Sequence, residues 1–292
     1  MALVRPFLKH LFYATHTTGA LDRLIFLSAY LKNFPKNQLF KRKNKGLALP
    51  PAYYLYETYK LDYQQYILDG QITAAELLNE VADLFPGGPT NILDWGCGVS
   101  RTVRHLPSIA RNANIYATDI NPAMIEWNRK NIPGVSFELI TDPYTLNYPD
   151  SRFDFVYAHS VLTHIHAQEQ LSWIKEIWRV LIDGGIFVFS THGRMYFDKI
   201  LLFEKELLLT DGSYTKSIHK KGHRLMTSYN LEKVLRKQIE PWFKVLRFYD
   251  GADHPKKIGG QDLWVVRRRA RTTPFGRTGT PVRQHGRFLR QT

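Results

Sequence analysis

Two short runs carry the residues most able to do chemistry. Asn91-Ile92-Leu93-Asp94-Trp95-Gly96-Cys97-Gly98-Val99-Ser100-Arg101 reads as a strand entering a glycine turn and then a helix beginning near Arg101. Gly96 and Gly98 let the backbone turn sharply and approach a ligand without side-chain obstruction, and a helix start behind them offers unpaired N–H groups. About twenty residues on, Ile115-Tyr116-Ala117-Thr118-Asp119 is a second strand ending in an acid. A carboxylate there can accept hydrogen bonds from both hydroxyls of a ribose. The pair suits a nucleotide-bearing cofactor. A dinucleotide fingerprint requires a third glycine three residues after the second, and Arg101 occupies that position. That weakens the pyrophosphate-binding reading.

Histidines are the next candidates. His159, His164, His166 and His192 all follow expected strands, where ligands bind in an open α/β sheet, and histidine titrates near neutral pH. His192, His164 and His159 are the candidate bases. A zinc site on His164-x-His166 lacks supporting cysteines or clustered acids. Cys97, the one cysteine, excludes an intramolecular disulfide framework and reads as a small filler between two glycines.

These residues need a scaffold. Expected strands at 91–95, 115–118, 135–139, 153–157 and 186–191 alternate with helical stretches. The clearest helix spans 168–181, with Leu171, Ile174, Ile177, Trp178 and Leu181 at helical spacing. That alternation predicts a parallel sheet covered on both faces. Runs at 243–249 and 263–266 leave no room for a crossover helix and must pair antiparallel. Upstream, Leu21, Leu24, Ile25, Leu27, Ser28 and Leu31 predict an apolar stripe on a short amphipathic helix. A tyrosine-rich stretch (Tyr53 to Tyr66) predicts a helical cap, with a ring-lined substrate wall as the alternative, and a second helix is expected over 73–85.

Taken in order, the motifs resemble those of class I S-adenosylmethionine (SAM)-dependent methyltransferases across most of residues 70–266. Asp94, Gly96 and Gly98 match the glycine motif, with Ser100 where the family usually has a third glycine, a change expected to cost little. Asp119-Ile120 is similar to the second motif, which implies that Asp119 holds the ribose and Ile120 lies on the adenine. Thr141-Asp142-Pro143 resembles the third, implying that Asp142 faces the adenine amino group. His159 stands where the family contacts the methionine end. Arg179-Val180-Leu181 with Gly184-Gly185, and Gln261 to Val266, look like the family's fifth-strand and closing signatures. The cofactor-binding set implied is Asp94, Gly96, Cys97, Gly98, Asp119, Ile120, Asp142, Pro143 and His159, with SAM as cofactor and no metal. The resemblance implies a Rossmann-like, doubly wound, mainly parallel seven-stranded sheet with an antiparallel C-terminal hairpin.

The expected organisation is a helical cap and basic extension over 1–69, the catalytic domain over 70–266 with a substrate-side insert at 193–241, and an Arg-rich disordered tail over 267–292. The net charge of +14 sits at the ends. Residues 1–46 hold nine Lys or Arg against Asp22, and 267–292 hold eight Arg and no acid, so the middle is near neutral. The lack of an apolar run of membrane-spanning length and of a secretory leader pattern leads us to expect a cytoplasmic location. The Asn/Asp-Pro-Pro-aromatic motif of the family's amino-methylating members is replaced by Ala158-His159-Ser160-Val161, which disfavours exocyclic base nitrogens. The leading expectation is therefore methyl transfer to oxygen of a small-molecule or sugar-containing acceptor. Two alternatives stand beside it: an RNA methyltransferase gripping phosphate with its basic ends, and a non-catalytic SAM-binding scaffold held to a membrane surface by its basic N-terminus.

Overall fold

The structure is a computed structural model that describes residues 18–216, 226–255 and 257–270. In chain order it places α1 (Thr18–Lys43), α2 (Ala52–Thr58), α3 (Tyr63–Glu80), β1 (Asn91–Trp95), α4 (Leu106–Ile109), β2 (Asn114–Asp119), α5 (Pro122–Asn131), β3 (Ser136–Leu139) and β4 (Phe153–Ala158). There follow α6 (Ala167–Val180), β5 (Leu181–Thr191), α7 (Leu202–Asp211), β6 (Ser213–Lys216), β7 (Thr227–Asn230), α8 (Glu232–Ile239), β8 (Phe243–Tyr249) and β9 (Asp262–Arg268).

Seven strands form one sheet in the order β3-β2-β1-β4-β5-β9-β8, while β6 and β7 form a separate hairpin. β1 pairs in parallel with both β2 and β4, so the chain reverses its winding direction between β1 and β4. That switch point opens a crevice at the carboxyl ends of the strands, where both candidate motifs lie. β9 runs antiparallel to β5 and β8, as the short connection required.

Both faces of the sheet are covered, which is why its central strands read as nearly continuous apolar runs. One core joins Trp95, Phe153, Phe187, Phe189 and Trp264 to Trp173, Ile174 and Ile177 of α6. The other joins Ile92, Phe155, Val188 and Val265 to Ala74 and Leu77 of α3 and Ile125 of α5. A third cluster ties Leu55, Tyr63 and Tyr66 of the cap to Val99 beside the glycine loop and Met124 of α5. Among the described residues, no helix is long and apolar enough to cross a membrane.

Several expectations are corrected. The helix expected at 73–85 starts at Tyr63, because the Asp62 side chain accepts the Gln65 N–H and caps it there. The division at residue 69 therefore falls inside a continuous helix. Arg101 does not open a long helix: the chain makes tight turns, then a 3₁₀ turn (Val103–His105), then the single-turn α4 with Pro107 in its first turn. The disorder expected from residue 267 is not found at its start, because β9 runs through Arg268. That side chain is buried, lies 4.4 Å over the Trp178 ring and pairs with Asp183. The rest of the tail, and Lys220, Lys221 and Arg224 of the insert, lie outside the described residues.

The helix expected here as short, α1, runs for 26 residues. Its inward face is Phe26, Ala29, Tyr30 and Phe40, fixed by Asn37, whose amide bridges the Leu61 carbonyl and the Tyr63 N–H. The expected stripe of Leu24, Ile25, Leu27 and Leu31 is exposed. Periodicity identifies an apolar face; which neighbour reaches the helix decides whether that face is covered.

Candidate active site

The glycine loop is pinned from several sides. The Gly96 and Cys97 N–H groups donate to the Thr118 carbonyl at 2.8 and 3.0 Å, tying the end of β1 to β2. Asn128 Nδ2 donates to the Gly98 carbonyl at 2.8 Å. Gly96 has φ +81°, and a Cβ there would fall 2.4 Å from Val161 Cγ2, so only glycine fits. Ser100 also lies in the left-handed region, φ +62°, and its wholly buried hydroxyl has no partner among the described residues. Serine therefore costs more here than its small size suggests, through backbone strain and an unsatisfied hydroxyl.

Asp119 ends β2 with one carboxylate oxygen accepting the Gly98 N–H at 2.8 Å and the other accepting the Asn121 N–H at 2.9 Å. Burial raises its pKa, and those N–H groups counter the rise. Beside it, Ile120 is a large apolar side chain left 47% exposed at the lip of the crevice, a platform for a flat ring. Asp142 and Pro143 stand on the same lip.

The crevice opens into a cleft of about 970 Å³. Asp94, Gly96, Cys97, Gly98, Asp119, Ile120, Asp142, Pro143 and His159 all line it, as does His164. His192 is not among the lining residues. It is buried, stacked on Tyr196 at 4.1 Å, and pushed down to about 3 by burial and by His164 and Lys199. Burial drives the Cys97 thiol well above its ordinary value, so it stays protonated.

The opposite wall comes from the cap. Tyr59 follows α2, and Asp69 and Thr73, four residues apart and thus on one face of α3, point to the same place. They converge on Arg101. Its guanidinium lies 4.9 Å from the Tyr59 ring centroid, donates to Thr73 Oγ1 at 3.2 Å and donates to His159 Nδ1 at 3.0 Å. The Tyr59 hydroxyl in turn donates to Asp69. Burial lowers the Arg101 pKa, with Tyr59, Asp69 and Asp94 opposing the shift, yet no carboxylate lies within ion-pair distance of it among the described residues. A guanidinium so placed has N–H groups to offer an incoming anion.

His159 is held neutral. Burial and the adjacent Arg101 push it down to about 3, and because Nδ1 accepts from Arg101 its proton sits on Nε2. It is a donor toward the cleft and a poor base at neutral pH. His164 has the reverse arrangement: Nδ1–H donates to the Met226 carbonyl at 2.7 Å, which makes Nε2 its basic atom. Asp94 is raised to about 7, chiefly by burial, with Asp119 adding to the rise and Tyr157 and Arg101 opposing it. A buried acid poised there favours a cationic group beside it.

Sequence reasoning missed Arg101, Tyr59, Asp69, Thr73 and the pair Gln261–Ser160, in which the amide donates to the hydroxyl at 2.7 Å. The available signal was a basic residue directly after the glycine motif, and the i, i+4 spacing of Asp69 and Thr73.

Residues 93–189 match the family model described as a methyltransferase domain. That segment, a third of the chain, is similar to a methyltransferase domain and carries the glycine loop, Asp119 and His159 of the cleft. The chain is 30% identical over 107 residues to a malonyl-[acyl-carrier protein] O-methyltransferase of Halorhodospira halophila, covering 36% of each chain. It is 34% identical over 101 residues to the sterol 24-C-methyltransferase erg6 of Aspergillus fumigatus, covering 33% of this chain and 26% of that one. The chain thus spans about a third of the length of these curated relatives. A Burkholderia thailandensis 1,6-didemethyltoxoflavin-N1-methyltransferase structure aligns with TM-score 0.48 at 17% identity, over 69% of this chain and 79% of that one.

Proposed function

We propose that this chain transfers a methyl group from SAM to a hydroxyl oxygen of a small polar acceptor, such as a sugar-containing metabolite, in the cytoplasm. The observation that carries the reading is a single cleft with two unlike walls. One presents the glycine loop, Asp119 and the exposed Ile120; the other presents Tyr59, Asp69, Thr73 and Arg101.

The residues fit the cofactor. Asp119 would hold the ribose hydroxyls, Ile120 and Pro143 the adenine faces, and Asp142 its amino group. Asp94 suits the ammonium end, and Arg101 with the His159 Nε2–H suits the carboxylate. Bound SAM supplies a methyl group already activated on a sulfonium, so alignment and exclusion of water do much of the catalysis. His164 Nε2 takes the proton from the acceptor hydroxyl, and the Met226 carbonyl steadies the resulting imidazolium through Nδ1–H. Asp69 and Glu76 on the cap wall accept hydrogen bonds from further acceptor hydroxyls.

The cleft also carries Glu57, Asp142 and Glu169, an acidic lining that repels a phosphate backbone and favours a small acceptor over RNA. Calorimetric titration with SAM, its demethylated product and NAD, on wild type and Asp119→Ala, tests the reading. Binding of SAM and its product, weakened in the variant, is expected, followed by transfer of radiolabelled methyl to a sugar-containing acceptor that His164→Ala slows. Preference for NAD, or SAM binding with no acceptor ever methylated, overturns it.

A further inference from the structure

α1 carries two apolar faces, and the domain covers one. Phe26, Ala29, Tyr30 and Phe40 pack inward, while Leu24, Leu27, Leu31 and Phe34 repeat at i, i+3, i+7 and i+10 along the other side. Those four are 64%, 50%, 63% and 42% exposed, and Ile25 and Leu39 beside them are also exposed. A run of large apolar side chains along one helix line is an interaction surface rather than scattered surface hydrophobicity.

The charges around it decide the partner. Arg23 and Lys32 flank the stripe, Arg42 continues it about five turns beyond Leu24, and Lys43 and Lys45 follow, all exposed. The single acid of the helix, Asp22, is buried and accepts the Tyr56 hydroxyl at 3.0 Å. A second copy would bring two like-charged rims together. An anionic bilayer instead offers hydrocarbon to the leucines and headgroups to the cations.

We propose that α1 docks this protein on an anionic membrane surface, lying in the interface with Leu24, Leu27, Leu31 and Phe34 inserted. The helix is fastened to the cap by Asn37 and by the Lys36–Asp62 pair at 2.7 Å, so docking holds the domain close to the bilayer. This inference does not rest on the chemistry of the cleft.

Co-sedimentation of the full chain with phosphatidylcholine vesicles, with and without phosphatidylglycerol, tests it. Expected are partition onto the anionic vesicles alone, loss with rising salt, and a drop of about tenfold or more in both Leu24→Gln/Leu27→Gln/Leu31→Gln and Arg23→Gln/Lys32→Gln/Arg42→Gln. Unchanged melting and unchanged affinity for the SAM product show that these exposed substitutions leave the fold intact. A chain lacking residues 1–17 should still bind. No partition, equal partition onto neutral vesicles, binding that survives the leucine changes, or a dimer that those changes dissociate would each overturn the proposal.

Discussion

The two walls of the cleft are built by different means. The wall proposed for the cofactor is local: Asp94 to Gly98 and Asp119 to Ile120 are short runs at the ends of adjacent strands, held by bonds such as Gly98 N–H to Asp119. The cap wall is convergent: Tyr59, the α3 pair Asp69 and Thr73, and His159 arrive from three segments and meet only because each contacts Arg101 or its neighbours. A wall made of backbone geometry can be read from a motif. A wall made of side chains meeting from distant segments cannot, and it is free to vary with the acceptor.

The largest effect should come from breaking the local wall. Asp119→Ala removes the acid proposed to accept both ribose hydroxyls, and SAM affinity measured by calorimetry should fall about 100-fold or more. A loss under about fivefold would show that the ribose is held elsewhere.

Arg101 joins the two walls, and its role separates by ligand truncation. Arg101→Gln should weaken the demethylated product about 10- to 30-fold while leaving 5′-methylthioadenosine, which lacks the carboxylate, unchanged. Equal losses for both ligands would mean that Arg101 only supports the cap.

Asp94 sharpens the comparison through pH. Its pKa of about 7 means that the carboxylate is partly protonated near neutrality. A ligand with a cationic end binds the ionised form, so affinity should rise as pH climbs toward 7 and level off above it, with a proton released on binding at lower pH. Asp94→Asn should flatten that profile. Because the folded pKa lies above the ordinary value of 3.8, the ionised acid costs stability that grows as pH rises from about 4 to 7. The variant should therefore melt higher than wild type at pH 8 and lose that advantage near pH 4.

The smallest effect is at the departure from the family pattern. Ser100→Gly relieves a left-handed backbone and deletes a buried hydroxyl without a partner among the described residues, and should stabilise the domain by about 1 kcal/mol in denaturant unfolding. A destabilised variant would mean that the hydroxyl has a role in the loop.

Much of this molecule was legible in its order of residues. The alternation of strands and helices, the antiparallel end, the glycine turn and the acid that ends β2 follow from periodicity, glycine geometry and spacing, each a property of a few neighbouring residues, while Ile120, Asp142, Pro143 and His159 were singled out by resemblance. Packing decided the rest. It left the Leu24–Leu31 stripe facing solvent because Phe26 and Tyr30 reach the cap instead. It withdrew His192 from the cleft by stacking it on Tyr196, and fixed opposite tautomers on His159 and His164 through Arg101 and Met226. Burial, tautomer and which face meets a neighbour depend on atoms far apart in the chain, so only the folded molecule sets them.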